Sequence, residues 1–327
     1  MMPRVANALY WMGREIERAQ AVARLLEVSD ASSLEGSLAN GAGRRDVWEA
    51  AVLIAGDPST FNARHVRAEG RSVAWYLSLS DWNPGGALAC MTRVREHAGT
   101  VRSLLPGEVF EAVSAAEIAA RAWGPSRVAR DGLFAFCHEV RDGVATIDGT
   151  IARCLRRDGQ WEIVRLGRHL ERAMQVTRLL AVHAAVRGDA GAESGIGDWR
   201  VVLRVASAYE SYLRVALPER DRPSAAAFLL LDAALPGSVA FSLGEIFDAL
   251  DELRRIGAAP ADATPKAAVF AASRSAALAA QPSSLERGTE RLAARLADLH
   301  DAFETILFPT PEVADGMVAQ AARQAQN

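Results

Sequence analysis

Lysine is almost missing from this 327-residue chain: of 37 basic residues, only Lys266 is not arginine. Nearly every cation is therefore a planar, permanently charged fork suited to carboxylate or phosphate. A basic excess is missing too. With 40 acidic residues the formal net charge is -3, which argues against a dedicated nucleic-acid binder, whose phosphate contacts need a positive face. Cysteine is scarce, and Cys90, Cys137 and Cys154 are odd in number and lack metal-type spacing. Neither a disulfide framework nor a zinc site is indicated, and reduced thiols in a cytoplasmic protein are expected. Long apolar runs are also absent. The most apolar stretch, residues 225–231, is cut at Asp232 and closed by Pro236, and no signal core opens the sequence, so neither membrane insertion nor secretion is expected.

Familiar chemical signatures are missing as well. There is no Gly-Lys phosphate loop, no G-x-S-x-G elbow and no H-E-x-x-H pair. None of the six histidines has a glutamate three residues before it, so the di-iron type of bundle site is not expected and no metal is assigned. Cys137 and His138 are adjacent, but neighbours on a helix point about 100° apart and make a poor nucleophile and base.

What is present is ordinary globular composition, 50% hydrophobic and 24% charged, at a length that suggests two units in contact. It is also internally repetitive. Leu9-Tyr10-Trp11-Met12-Gly13-Arg14-Glu15-Ile16-Glu17-Arg18-Ala19 is echoed by Ile163-Val164-Arg165-Leu166-Gly167-Arg168-His169-Leu170-Glu171-Arg172-Ala173, 154 residues later. The register continues through Arg24-Leu25-Leu26 and Arg178-Leu179-Leu180. A looser, ordered match follows: Trp48 with Trp199, and Pro84-Gly85 with Pro236-Gly237. The chain reads as two related halves, residues 1–155 and 156–327, packed as one unit.

Apolar residues recur at helical rather than alternating spacing, as in Leu9, Met12, Ile16, Ala19, Val22 and Leu26 and in their counterparts from Ile163 to Leu180. The expectation is an all-α, internally duplicated helical bundle with pseudo-two-fold halves. Each half opens with a long amphipathic helix, followed by a small-residue loop over 29–46 or 187–198, a Trp-led helix and a Pro-Gly turn. The last helices are expected over 126–153 and 284–308, and the tail after Pro311 is unassigned. Among the tryptophans, Trp82 beside Asn83-Pro84-Gly85 is the one expected at the surface.

The candidate functional residues are the repeated polar set: Arg14, Glu17, Arg18 and Arg24, with Arg168, Glu171, Arg172 and Arg178. They fall on the side of each helix away from the apolar stripe. A freely substitutable solvated face should have diverged along with the rest of the two halves. Gly13 and Gly167 sharpen the point, since a mid-helix glycine costs about 1 kcal/mol relative to alanine unless a close approach requires it. If the opening helices cross there, Glu17 pairs with Arg172 and Glu171 with Arg18, which would dock the halves. The competing reading has the same arginines converge on an anionic ligand, with the glutamates as acceptors or base.

Tyr10-Trp11-Met12-Gly13-Arg14, then Glu17-Arg18-Ala19 and Ala23-Arg24-Leu25-Leu26, resembles the opening signature of the Alpha-E family, bacterial all-helical proteins named for a Glu-Arg motif. The second copy at Gly167-Arg168 and Glu171-Arg172-Ala173 extends the resemblance over essentially the whole chain. The resemblance implies company: members typically occur with a circularly permuted ATP-grasp protein, and often with a transglutaminase-like protein, in systems that make or attach peptides by amide ligation. Members usually carry an acidic residue directly after Glu-Arg-Ala, where this sequence has Gln20 and Met174. The expected role is a helical accessory or substrate-positioning partner of an ATP-grasp-type ligase, with no cofactor of its own and ATP and Mg bound by the partner. In that role Arg14, Arg18, Arg168 and Arg172 position an acidic peptide or the partner while Glu17 and Glu171 fix those guanidinium groups. The alternatives are an independent enzyme acting on an acyl or amide bond through an Arg/Glu pocket between the halves, and a purely structural interaction module.

Overall fold

A computed structural model describes residues 2–39, 43–190, 198–215, 224–258, 264–281 and 285–308. Among the described residues there are fifteen helices and no strand. Two long helices form the centre. Helix α1, Pro3–Ala39, spans about 55 Å at 1.5 Å per residue, and α9, Gly159–Ala190, runs beside it in the same direction. Their apolar stripes are fully withdrawn from water: Leu9, Met12, Ile16 and Leu26 on one, Leu166, Leu170 and Leu180 on the other.

The remaining helices wrap this pair. On α1 lie α2 (Gly43–Ala55), α4 (Gly70–Ser78), α5 (Ala87–Thr100) and α8 (Leu133–Cys154), with the short α3 (Pro58–Asn62) between α2 and α4. α6 (Gly107–Arg121) bridges α5 and α8, and α7 (Pro125–Asp131) leads into α8. On α9 lie α13 (Val239–Arg255) and α15 (Leu285–Leu307), with α14 (Thr264–Ala279) packed between those two. The short helices α10 (Trp199–Val205), α11 (Tyr209–Val215) and α12 (Ala225–Leu231) connect them. Caps set the starts: Asp198 accepts from the Arg200 amide at 2.8 Å, and Ser238, just past Pro236-Gly237, accepts from Phe241 at 3.0 Å.

Three boundaries differ from expectation. The loop expected over 29–46 is helix as far as Ala39, because Ser29, Ser32 and Ser33 are buried and burial overrides weak serine propensity. Likewise α9 continues to Ala190, while 191–197 lie outside the described residues. The single helix expected over 126–153 is two, because Gly132 takes φ 93°, a conformation open to glycine, and separates α7 from α8. α15 occupies the range expected for the last helix, and the tail after Pro311 lies outside the described residues. Trp82 is exposed, with the Arg64 guanidinium 4.3 Å from its ring centroid.

Candidate functional site: the crossing of α1 and α9

The two central helices meet backbone to backbone. A Cβ on Gly13 would overlap the Val164 carbonyl oxygen, and one on Gly167 would overlap the Tyr10 carbonyl oxygen. Glycine is thus required by contact rather than by φ, which accounts for its presence in two helix interiors. Gly13, Glu17, Gln20 and Arg24 follow at intervals of four, three and four, the spacing that keeps one side of a helix against a parallel neighbour. On α9 the matching row is Gly167, Glu171, Met174 and Arg178.

Immediately past the glycines come two crossed ion pairs. Arg172 donates from Nε to Glu17 Oε1 and from Nη2 to Oε2, both at 2.7 Å. Arg18 donates from Nε to Glu171 Oε1 at 2.7 Å and from Nη2 to Oε2 at 2.9 Å. Both are two-pronged pairs matching a guanidinium edge to a carboxylate. Glu171 has further donors: Arg14 Nε at 2.8 Å and Gln175 Nε2 at 2.9 Å. Arg168 Nη2 stands 3.7 Å from Glu17 and donates to Asp148 on α8 at 2.6 Å. This is no solvated face, since Arg14 is 4% exposed, Glu17 8% and Glu171 2%.

Burial alone would push both carboxyls up. At Glu171 the Arg18 and Arg14 guanidinium groups and the Gln175 amide more than offset it, holding the carboxyl down to about 2. Glu17 is likewise held below its usual range against burial by Arg172 and Arg168. Arg18 and Arg172, although desolvated, are pushed up by Glu171 and Glu17 respectively. His169, at the repeat position of Glu15, is held neutral down to about 2 by burial and by Arg172, Arg168 and Arg165, despite Glu245 at 3.5 Å. The crossing therefore carries fixed charges that do not exchange protons near neutrality.

Arg24 and Arg178 act differently. Arg24 Nε donates to the Arg204 carbonyl in the last turn of α10 at 3.0 Å, and Arg178 Nη1 to the Ile54 carbonyl in the last turn of α2 at 3.2 Å. Each thus supplies a cation to a helix C-terminus. Beyond the ion pairs the helices part around a cleft of about 360 Å³, bounded by the end of α2, the α10–α11 junction and the turn at Pro236. Glu17 and Arg172 are among the residues lining it, and Arg172 Nη1 also donates to the Pro236 carbonyl at 3.2 Å. Met174 lies outside it, its sulfur 3.3 Å from Arg14 Nη2.

All eight repeated charged residues thus gather along one seam, together with partners that sequence reasoning missed. Gln175 could have been found four residues after Glu171 on the same face. Asp148, the Arg93 that donates to Glu15 at 2.8 Å, and the cleft residues Ser207 and Ser211 occur once each and carry no repeat signal. Among the described residues no group of three or more His, Cys, Asp or Glu is arranged to hold a metal ion, and no helix is long and apolar enough to cross a membrane.

Comparison with known proteins adds three findings. A family profile described as a predicted alpha-helical domain with a conserved ER motif matches residues 1–307. Uncharacterised proteins of Mycobacterium bovis and of two Mycobacterium tuberculosis strains are each 25% identical over 268 residues, covering 77% of this chain but 30% of their own length. No solved structure matches the chain.

Proposed function

From the chain's membership of the Alpha-E family, we propose that it is the helical partner of an ATP-grasp-type amide ligase, holding substrate or ligase in place while the partner supplies nucleotide chemistry. The observation that carries this reading is the length of the mycobacterial relatives. They contain the matched segment as less than a third of a longer polypeptide, as expected for a component that works beside another folded unit. A transglutaminase-like protein is a further proposed partner, and the site of action is the cytoplasm. ATP and Mg are taken by the ligase.

Within this reading residues 1–155 and 156–327 are two copies of one helical unit. The support is in the packing: α5 lies on α1 as α13 lies on α9, and Arg24 reaches α10 as Arg178 reaches α2. Arg14, Arg18 and Arg172 are engaged by Glu17 and Glu171, so their role is to dock the copies, and Arg168 joins them to α8 through Asp148. An independent acyl-transfer enzyme has less support, because both Glu17 oxygens accept from Arg172 and the carboxyl is held ionised.

The test is affinity purification of the tagged chain from its native lysate in mild salt, followed by mass spectrometry. A stoichiometric ATP-grasp ligase is expected, and its peptide-dependent ADP release should rise when this chain is added back. The chain recovered alone, at low salt and with ATP present, would overturn the proposal.

A further inference from the structure

We propose that the cleft between α1 and α9 binds the carboxylate end of a short peptide, with Arg24 and Gln20 as its main polar contacts. The walls leave hydrogen-bonding capacity unused. The Gln20 side-chain carbonyl oxygen has no partner. Arg24 reaches the Arg204 carbonyl through Nε, while its Nη1 lies 3.4 Å from Glu27, a carboxylate held more closely by Arg141 at 2.5 Å. Among the described residues its Nη2 makes no hydrogen bond. Ser207 and Ser211 line the same cleft.

The chemistry of these groups selects the ligand. Of the ionised residues lining the cleft, Glu17 and Arg172 neutralise each other, and Arg24 shares the one Glu27 carboxylate with Arg141, so the two arginines carry one positive charge in excess. A single carboxylate answers it as a charge-assisted pair. Gln20 Oε1 calls for an N–H donor, which a peptide bond or amino group supplies next to a terminal carboxylate. Leu25, Val176, Leu179 and Leu235 give an apolar lining for one aliphatic side chain. At about 360 Å³ the cleft is near the small end of ligand pockets, which span roughly 300–1,000 Å³, and it fits a dipeptide better than a nucleotide.

Backbone conformation shapes the rim. Ser207 holds φ 54°, the one positive φ outside glycine among the described residues, as the residue that closes α10: its amide donates to the Arg204 carbonyl at 3.1 Å and the Ala208 amide to the Leu203 carbonyl at 2.8 Å.

The choice of a peptide rests on the proposed function, whereas the site itself is tested on this chain without any partner. The full chain is titrated by calorimetry with Ala-Leu and with the same dipeptide carrying a C-terminal amide. Saturable binding of Ala-Leu is expected, with about tenfold weaker binding of the amide for loss of the charged contact. Gln20→Leu and Ser207→Gly should each weaken Ala-Leu by about five- to tenfold while the thermal midpoint holds or rises, since neither removes a contact within the fold. Arg24→Gln should abolish the preference for acid over amide. Equal affinity for acid and amide, no saturable binding of either, or variants that bind as wild type would each overturn the proposal. Binding without a recoverable ligase would overturn only the proposed function, and a ligase recovered without dipeptide binding would overturn only this one.

Discussion

Replacing Gly13 by alanine sets two effects of opposite sign against each other. In a helix interior free of neighbours the change stabilises by about 1 kcal/mol, because glycine has more backbone freedom to lose. At Gly13 the new methyl would run into the Val164 carbonyl oxygen, and neither backbone can turn aside as a side chain could. The overlap is about 1 Å short of ordinary contact, so α1 and α9 must part by roughly that much. The Arg172 to Glu17 bonds at 2.7 Å would then stretch to about 3.7 Å, outside hydrogen-bond range. Overpacking alone costs about 1–3 kcal/mol, and weakening two buried pairs adds to it, since breaking one outright costs about 3–5 kcal/mol. We expect a net loss of about 3 kcal/mol for Gly13→Ala, and a similar loss for Gly167→Ala, which meets the Tyr10 carbonyl. Urea unfolding followed by circular dichroism reads the change as a shift in midpoint. Gly149 on α8 and Gly244 on α13 are the controls, because a Cβ at either meets nothing within 4 Å. Alanine there should leave the midpoint unchanged or raise it. A Gly13→Ala midpoint equal to or above wild type would refute the close-approach argument.

Other consequences are as open to measurement. Glu171→Gln should destabilise more than Glu17→Gln in the same urea assay, because it strands Arg14 and Arg18 together whereas Glu17 chiefly holds Arg172; the reverse order would contradict the geometry. Stability should fall with acid in two stages. His169 is held down to about 2 from 6.5 and Glu171 to about 2 from 4.5, so the unfolded chain binds more protons across both intervals. The stability they contribute is complete above about pH 6.5, declines below it through His169 and steepens below about pH 4.5 through Glu171, reaching its floor near pH 2; midpoints that stay flat from pH 7 to 3 would refute this. Burial pushes the Cys90 and Cys137 thiols up, and Cys154 is only partly covered. Iodoacetamide should therefore label Cys154 in the native chain and the other two only after unfolding, as peptide mapping would show.

The seam was legible in the sequence to the extent that it was written twice. Two mid-helix glycines, each followed by Glu-Arg, define a crossing and its partners without a structure. Helical periodicity likewise revealed α1 and α9 through their apolar stripes. Single-copy features were another matter. Asp148 and Arg93 reach the seam from α8 and α5, and no spacing rule links them to it. A helical wheel places Arg14 away from the apolar stripe but does not reveal that another helix covers that side. The serine-rich end of α1 has a loop's composition and becomes helix through packing, a long-range effect that local propensity does not carry. The cleft was invisible for the same reason, since its walls come from five separate segments of chain.

The glycine contact also governs how this molecule can move. With carbonyl oxygens set against Cα atoms and charged clasps on the next turn, α1 and α9 form a single stiff spar with no play between its halves. Any breathing of the cleft must come from the walls the spar does not provide. One of these is the α10–α11 corner, where residues 206–208 join two short helices and Ser207 turns the chain with φ 54°.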